Sequence, residues 1–168
     1  MTAQSLSMPP TKSAERLLVP IGLLAVIEQQ ALACYPNECC GVLVGRPGAR
    51  TAAHSVHPVE NQRADQASHR YEIDPRQVVR LDRQAEERGQ EIIGFYHSHP
   101  GQRATPSDSD REYAWPGYLY LIVGLTAKGE TEIRAWTYDE EAAAFGERAI
   151  ALTGLTPSFL GSARKTAR

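Results

Sequence analysis

Residues 118–125 read YLYLIVGL, an apolar run of strand length with almost no polar break. A strand with one face in water alternates apolar and polar side chains. A strand that is apolar throughout has to be covered on both faces, which places it centrally in a sheet. The flanking segments must therefore supply neighbouring strands and helices to cover them.

The neighbours are short and well punctuated. CCGVLVG (39–45) is β-branched, apolar and bounded by turn residues. TAAHSVHPVEN (51–61) alternates and ends near Pro58, and EIIGFYH (91–97) reads as a further strand. TAKGE (126–130) makes a turn that returns the chain as TEIRAWTYD (131–139). YEI (71–73) reads as a brief strand, and residues 145–150 as one more.

Three segments carry helical signals. In VPIGLLAVIEQQALACYP (19–36), Pro20 suits the first turn, and Leu24, Ile27, Ala31 and Cys34 recur at helical spacing. Glu28, Gln29 and Gln30 fall on the water side, and Pro36-Asn37 ends the helix. DPRQVVRLDRQAEERG (74–89) has Asp74 as N-cap, Pro75 in the first turn, a Val78-Leu81-Ala85 stripe and Gly89 as stop. SDSDREYAW (107–115) opens a short helix. The order predicts an α+β domain with a mixed β-sheet flanked by helices. At 168 residues the chain has the size of a single domain able to bury a core. That domain is expected over 15–150, with a disordered N-terminal tail at 1–14 and a flexible C-terminal tail at 151–168.

Charge and composition remove several functions. The net charge is −2 and the isoelectric point about 6.2, so no basic field draws the chain to nucleic acid or an anionic membrane. The basic ARKTAR end is too short to change this. No segment approaches the apolar length that spans a bilayer, and the first residues lack the apolar core of a secretory signal. The expectation is a cytoplasmic protein. Cys34, Cys39 and Cys40 are an odd, clustered set that fits neither a disulfide framework nor a zinc knuckle, and they read as reduced, buried hydrophobes.

The chemistry concentrates in IIGFYHSHPGQRATPSDSD (92–110). Residues two apart on a strand share a face, so His97 and His99 can aim at one point. Ser107 and Asp110 are three apart at a helix start and share a face as well. Asp110 can supply a third ligand, with the Ser107 hydroxyl beside it. The same pair also reads as an N-cap and its N3 partner, and the two readings are compatible. Two histidines, a carboxylate and a water make a tetrahedral zinc with one exchangeable position. Such a site needs a proton carrier. Glu38, between the first helix and an apolar strand, is the best candidate, the alternative being an exposed turn carboxylate. Neither the deaminase pattern of H-x-E with P-C-x-x-C nor the zincin pattern H-E-x-x-H occurs. His54 and His57 read as structural or solvent-facing, and His69 as part of a polar loop.

HSHP, six residues and then SDSD fits H-x-H-P-x6-S-x-x-D, with an upstream glutamate in NECCGVLVG. This resembles the JAMM (MPN+, JAB-domain) zinc metallopeptidases, in particular their compact bacterial and archaeal members, over roughly residues 17–138. The resemblance implies a JAB/MPN fold of cytidine-deaminase-like architecture and one zinc ion per chain on His97, His99 and Asp110. It implies Glu38 as general acid and base and Ser107 as donor to the tetrahedral oxyanion. Asp108 and Ser98 match no role. The implied activity is hydrolysis of the peptide or isopeptide bond after the C-terminal Gly-Gly of a ubiquitin-like or sulfur-carrier protein. The loop ENQRADQASHR (60–70) stands where it can grip that tail. Homodimer formation through an exposed strand or the first helix is left open. The competing classes are a non-catalytic zinc-binding MPN scaffold and a metal-sensing module, neither of which needs Glu38 and Ser107.

Overall fold

The computed structural model describes residues 16–48, 50–63 and 67–154. Among them are seven strands and three helices: β1 (Arg16–Pro20), α1 (Ile21–Cys34), β2 (Cys40–Arg46), β3 (Thr51–Val59), α2 (Pro75–Glu86), β4 (Glu91–Pro100), α3 (Asp108–Glu112), β5 (Leu119–Leu125), β6 (Thr131–Asp139) and β7 (Ala144–Thr153). Residues 1–14, and most of the segment expected as a C-terminal tail, lie outside the described residues. Residues 151–153 instead continue β7.

The strands form one mixed sheet in the order β1-β3-β2-β4-β5-β6-β7, and it closes on itself. β5 is buried at all seven positions, as its composition requires, with β4 parallel on one side and β6 antiparallel on the other. The closure was not expected from the sequence. It rests on β1, which pairs in parallel with both β3 and β7, Leu17 lying opposite Thr51 on one side and Ile150 on the other. Read from sequence, Val19 and Pro20 of this strand fall in the helix and Arg16–Leu18 in no element, because Val19 runs into the helix without a turn. Pro20, as N-cap, sets the boundary, so the helix begins at Ile21 rather than Val19.

Two apolar clusters fix the layers. Leu43, Ile93, Tyr96 and Leu121 share one with Ile27 and Ala31 of α1. Cys40, Val42, Val44 and Ile92 share the other with Leu81 and Ala85 of α2. Alternation along β4 is broken once. Leu43 pairs with Gly94 and Val44 with Ile92, so Ile93 is bulged out of the register. This shift puts Ile92 and Phe95, three apart, on the α2 side and Ile93 and Tyr96 on the other. Everything beyond the bulge, including the two histidines, takes its facing from it.

Two local expectations are corrected. Gln30 does not face water: its Nε2 donates to the Cys40 carbonyl at 3.2 Å and its Oε1 accepts from the Tyr96 hydroxyl at 2.6 Å. Residues 71–73 form no strand. The N–H of Glu72 donates to the Asn61 side chain at 3.1 Å, so a side chain takes the place of a ladder partner. Asp74 caps α2 as expected, accepting from the Arg76 N–H at 2.9 Å. No helix among the described residues is long and apolar enough to cross a membrane.

Candidate metal centre

The last turn of β4 carries His97 and His99 on one face, both buried. Their Nε2 atoms lie 2.9 Å apart. The chain then has to return a third group to the same point. Gly101 donates its N–H to the Leu125 carbonyl at 2.6 Å, and the Ala104 carbonyl accepts from Trp136 Nε1 at 3.0 Å. The loop lies directly on Gly124, the residue paired with His99, where an added Cβ would stand 2.6 Å from the Ala104 nitrogen. Only a residue without a side chain allows that approach.

The loop ends at Ser107, the N-cap of α3. Its Oγ accepts from the Asp110 N–H at 3.1 Å, and the Asp110 carboxylate accepts from the Ser107 N–H at 2.6 Å. This reciprocal capping box holds Asp110 over the histidines. Asp110 Oδ1 lies 3.0 Å from His97 Nε2, and Oδ2 lies 3.3 Å from His99 Nε2. Ser107 Oγ also donates to Oδ2 at 2.7 Å. Asp108, the rival carboxylate, instead pairs with Arg111 at the surface.

These three side chains fit a metal ion. Their ligand atoms all fall within 4.8 Å of one another. Tetrahedral bonds of about 2.0–2.1 Å place ligand atoms about 3.3 Å apart; here the two imidazole nitrogens stand 2.9 Å apart, with one Asp110 oxygen 3.0 Å from His97 and the other 3.3 Å from His99. Two imidazoles and a carboxylate suit a divalent first-row cation.

Electrostatics agrees with that use. Burial pushes the Asp110 carboxyl up, but the two imidazoles and Ser107 outweigh it and hold it well below the usual carboxylate range. Burial lowers His97 despite the neighbouring Asp110, so its imidazole is neutral at pH 7. His99 is raised, because bonding and charge from Asp110 overcome its burial. Metal binding requires both imidazoles in their neutral form.

Glu38 lies just before β2, whose first residue, Cys40, pairs with His97. It is only 5 % exposed, so the surface-turn alternative does not hold. Burial raises its carboxyl to about 7, with smaller opposing effects from His99 and Asp110. A carboxyl that changes protonation near neutrality beside a cluster of ligands is suited to moving protons.

Two neighbours of the cluster escaped the sequence reading. The Ser98 hydroxyl, facing away from the histidines, accepts from the Cys39 N–H at 2.9 Å and so ties the residue after Glu38 to β4. The Tyr71 ring stacks on His97, with centroids 4.5 Å apart and planes 23° from parallel. Strand alternation could have flagged Ser98 as an inward polar residue; no local pattern points to Tyr71. Cys39 and Cys40 are buried free thiols, raised by burial to about 11 and about 12, and Cys34 is half-buried. His54, His57 and His69 stay outside the cluster. His54 meets Gln90 and His57 meets Ser55, while His69 is exposed.

Comparison with known proteins gives the family. A desampylase of Haloferax volcanii is 44% identical over 106 residues, 62% of this chain and 73% of that protein. A CysO-cysteine peptidase of Mycobacterium tuberculosis is 26% identical over 121 residues, 71% of this chain and 81% of that one. A solution structure of a Desulfitobacterium hafniense protein superposes with a TM-score of 0.72 at 26% identity, covering 82% of this chain and 93% of that one. The family described as prokaryotic homologs of the JAB domain matches residues 20–139, a span that takes in Glu38, both histidines and the capped helix bearing Asp110. The chain belongs to that family, Prok-JAB.

Proposed function

We propose that this protein is a zinc-dependent peptidase or isopeptidase that hydrolyses the bond after the C-terminal Gly-Gly of a ubiquitin-like or sulfur-carrier protein. The observation that carries the reading is the burial of Glu38 beside three convergent ligands. A scaffold or a sensor has no use for a buried carboxyl that titrates near neutrality. The relatives named desampylase and CysO-cysteine peptidase support hydrolysis at such a tail. The Gly-Gly ending comes from the resemblance of the H-x-H-P-x6-S-x-x-D spacing to the JAMM peptidases.

His97, His99 and Asp110 would hold the zinc, which when bound lowers the pKa of a water molecule and polarises the scissile carbonyl. Glu38 takes a proton from the attacking water and delivers it to the leaving amine as the C–N bond breaks. The water oxygen stays with the new carboxylate, so the reaction balances without a further reactant. Ser107 donates a hydrogen bond to the developing oxyanion. Since the same hydroxyl donates to Asp110 Oδ2, it has to turn from one acceptor to the other.

The test uses metal-loaded protein and fusions of candidate ubiquitin-like proteins carrying an extension after Gly-Gly. Release of the extension should require Glu38 and His97. His97→Ala and Asp110→Ala should retain far less than the one zinc per chain expected of wild type, measured by elemental analysis after dialysis. A wild-type protein that holds zinc and cuts no such fusion would remove the substrate assignment, and one that holds no zinc would remove the site.

A further inference from the structure

Four backbone groups converge on the side-chain amide of Asn61, two residues past the end of β3. Its Nδ2 donates to the carbonyls of Glu38 at 3.2 Å and Arg70 at 2.9 Å. Its Oδ1 accepts from the N–H groups of Arg63 at 3.0 Å and Glu72 at 3.1 Å. A primary amide has two donors and accepts two bonds, so its capacity is filled and its orientation is set by the partners.

These partners lead to both halves of the site. The N–H of Glu38 donates to the Ala67 carbonyl at 2.6 Å, so with Asn61 on its carbonyl the residue is tied at both ends, to Asn61 and to Ala67. Arg70 and Glu72 flank Tyr71, whose ring lies on His97. One side chain therefore fixes the backbone that presents Glu38 and the backbone that presents the ring against His97.

We infer that Asn61 is a positioning residue that sets Glu38 and Tyr71 relative to His97. It touches neither the metal ligands nor the reacting atoms and acts through the peptide groups it binds. The inference rests on the proposed roles of Glu38 and His97. Its chemical signature is asymmetric. Aspartate at this position keeps the two bonds from Arg63 and Glu72 but turns a carboxylate oxygen toward the carbonyls of Glu38 and Arg70, where the amide had placed its donors.

Zinc-loaded Asn61→Asp and Asn61→Ala are compared with wild type by three measurements: turnover of a Gly-Gly fusion, zinc affinity by chelator competition, and hydrogen exchange at the Glu38 amide. In both Asn61 variants the Glu38 amide should exchange at least about tenfold faster as its tie loosens. The kcat should fall about 10- to 100-fold while KM stays within about threefold. If Asn61 only shaped its own turn, Asn61→Asp would stay near wild type and Asn61→Ala alone would suffer, which overturns the inference. Unchanged exchange at Glu38 in both variants overturns it as well. If wild type cuts no fusion, the proposed function fails, yet the exchange measurement still decides the tie. Should neither Asn61 variant fold, Tyr71→Ala takes their place. It should weaken zinc binding about tenfold with Glu38 exchange unchanged, and unweakened binding refutes the Tyr71 arm.

Discussion

Replacing Glu38 with glutamine should abolish turnover and yet stabilise the protein in alkaline buffer. The carboxyl is buried, and folding raises it from 4.5 to about 7. The folded state therefore holds its proton over a range where the unfolded chain has lost it. The sign follows directly: the unfolded chain binds fewer protons in this window, so stability falls as pH rises from 4.5 through about 7. At 1.36 kcal/mol per pH unit, that interval sets an upper limit of about 3 kcal/mol on the cost of ionising Glu38 in the folded protein. Glutamine keeps the shape and never ionises. Chelator-stripped Glu38→Gln should thus gain up to about 3 kcal/mol over wild type between pH 4.5 and 8, or about 6–12 °C in Tm for a chain of this size. The assay is thermal unfolding of both proteins at several pH values. Any fixed cost of burying the amide cancels, because only the change with pH is read. A Tm difference that stays constant from pH 4.5 to 8 would refute the reasoning, since Glu38 would then ionise as easily folded as unfolded.

Ser107→Ala removes the cap of α3 and one of the bonds that aim Asp110. It should cost about 1 kcal/mol in denaturant melts and weaken zinc binding about 10- to 100-fold in chelator competition. Gly124→Val should drive the 101–106 loop off β5, because the first added carbon already meets the Ala104 nitrogen at 2.6 Å. Bound zinc and Tm should fall together, by elemental analysis and thermal unfolding, as Asp110 is carried away from the histidines. Leu81→Ala, in the cluster between α2 and the sheet, should cost about 2–5 kcal/mol of stability in denaturant melts but leave zinc stoichiometry intact. A matching loss of zinc there would mean that the site and the α2 layer are coupled.

Much of the site is legible in the linear chain because it is built from short-range geometry. A strand repeats every two residues, so His97 and His99 share a face. A capped helix start brings residues three apart together, so Ser107 reaches Asp110. These relations depend on backbone periods that a few neighbouring residues dictate. The apolar character of β5 likewise announces a central strand, because nothing along it can face water. Other features depend on partners far away in sequence. The closure of the sheet hangs on β1, five residues whose strand character comes from pairing with β3 and β7 at once. The bulge at Ile93 is defined only against β2, and it chooses the side on which both histidines emerge. Glu38 stands out in sequence as a candidate proton carrier, but its burial and raised carboxyl exist only in the fold, and Asn61 and Tyr71 show no pattern until they come to lie by Glu38 and His97. Burial, stacking and the loosened hold of a carboxyl on its charge are properties of surroundings, and for these residues the surroundings exist only once the chain has folded.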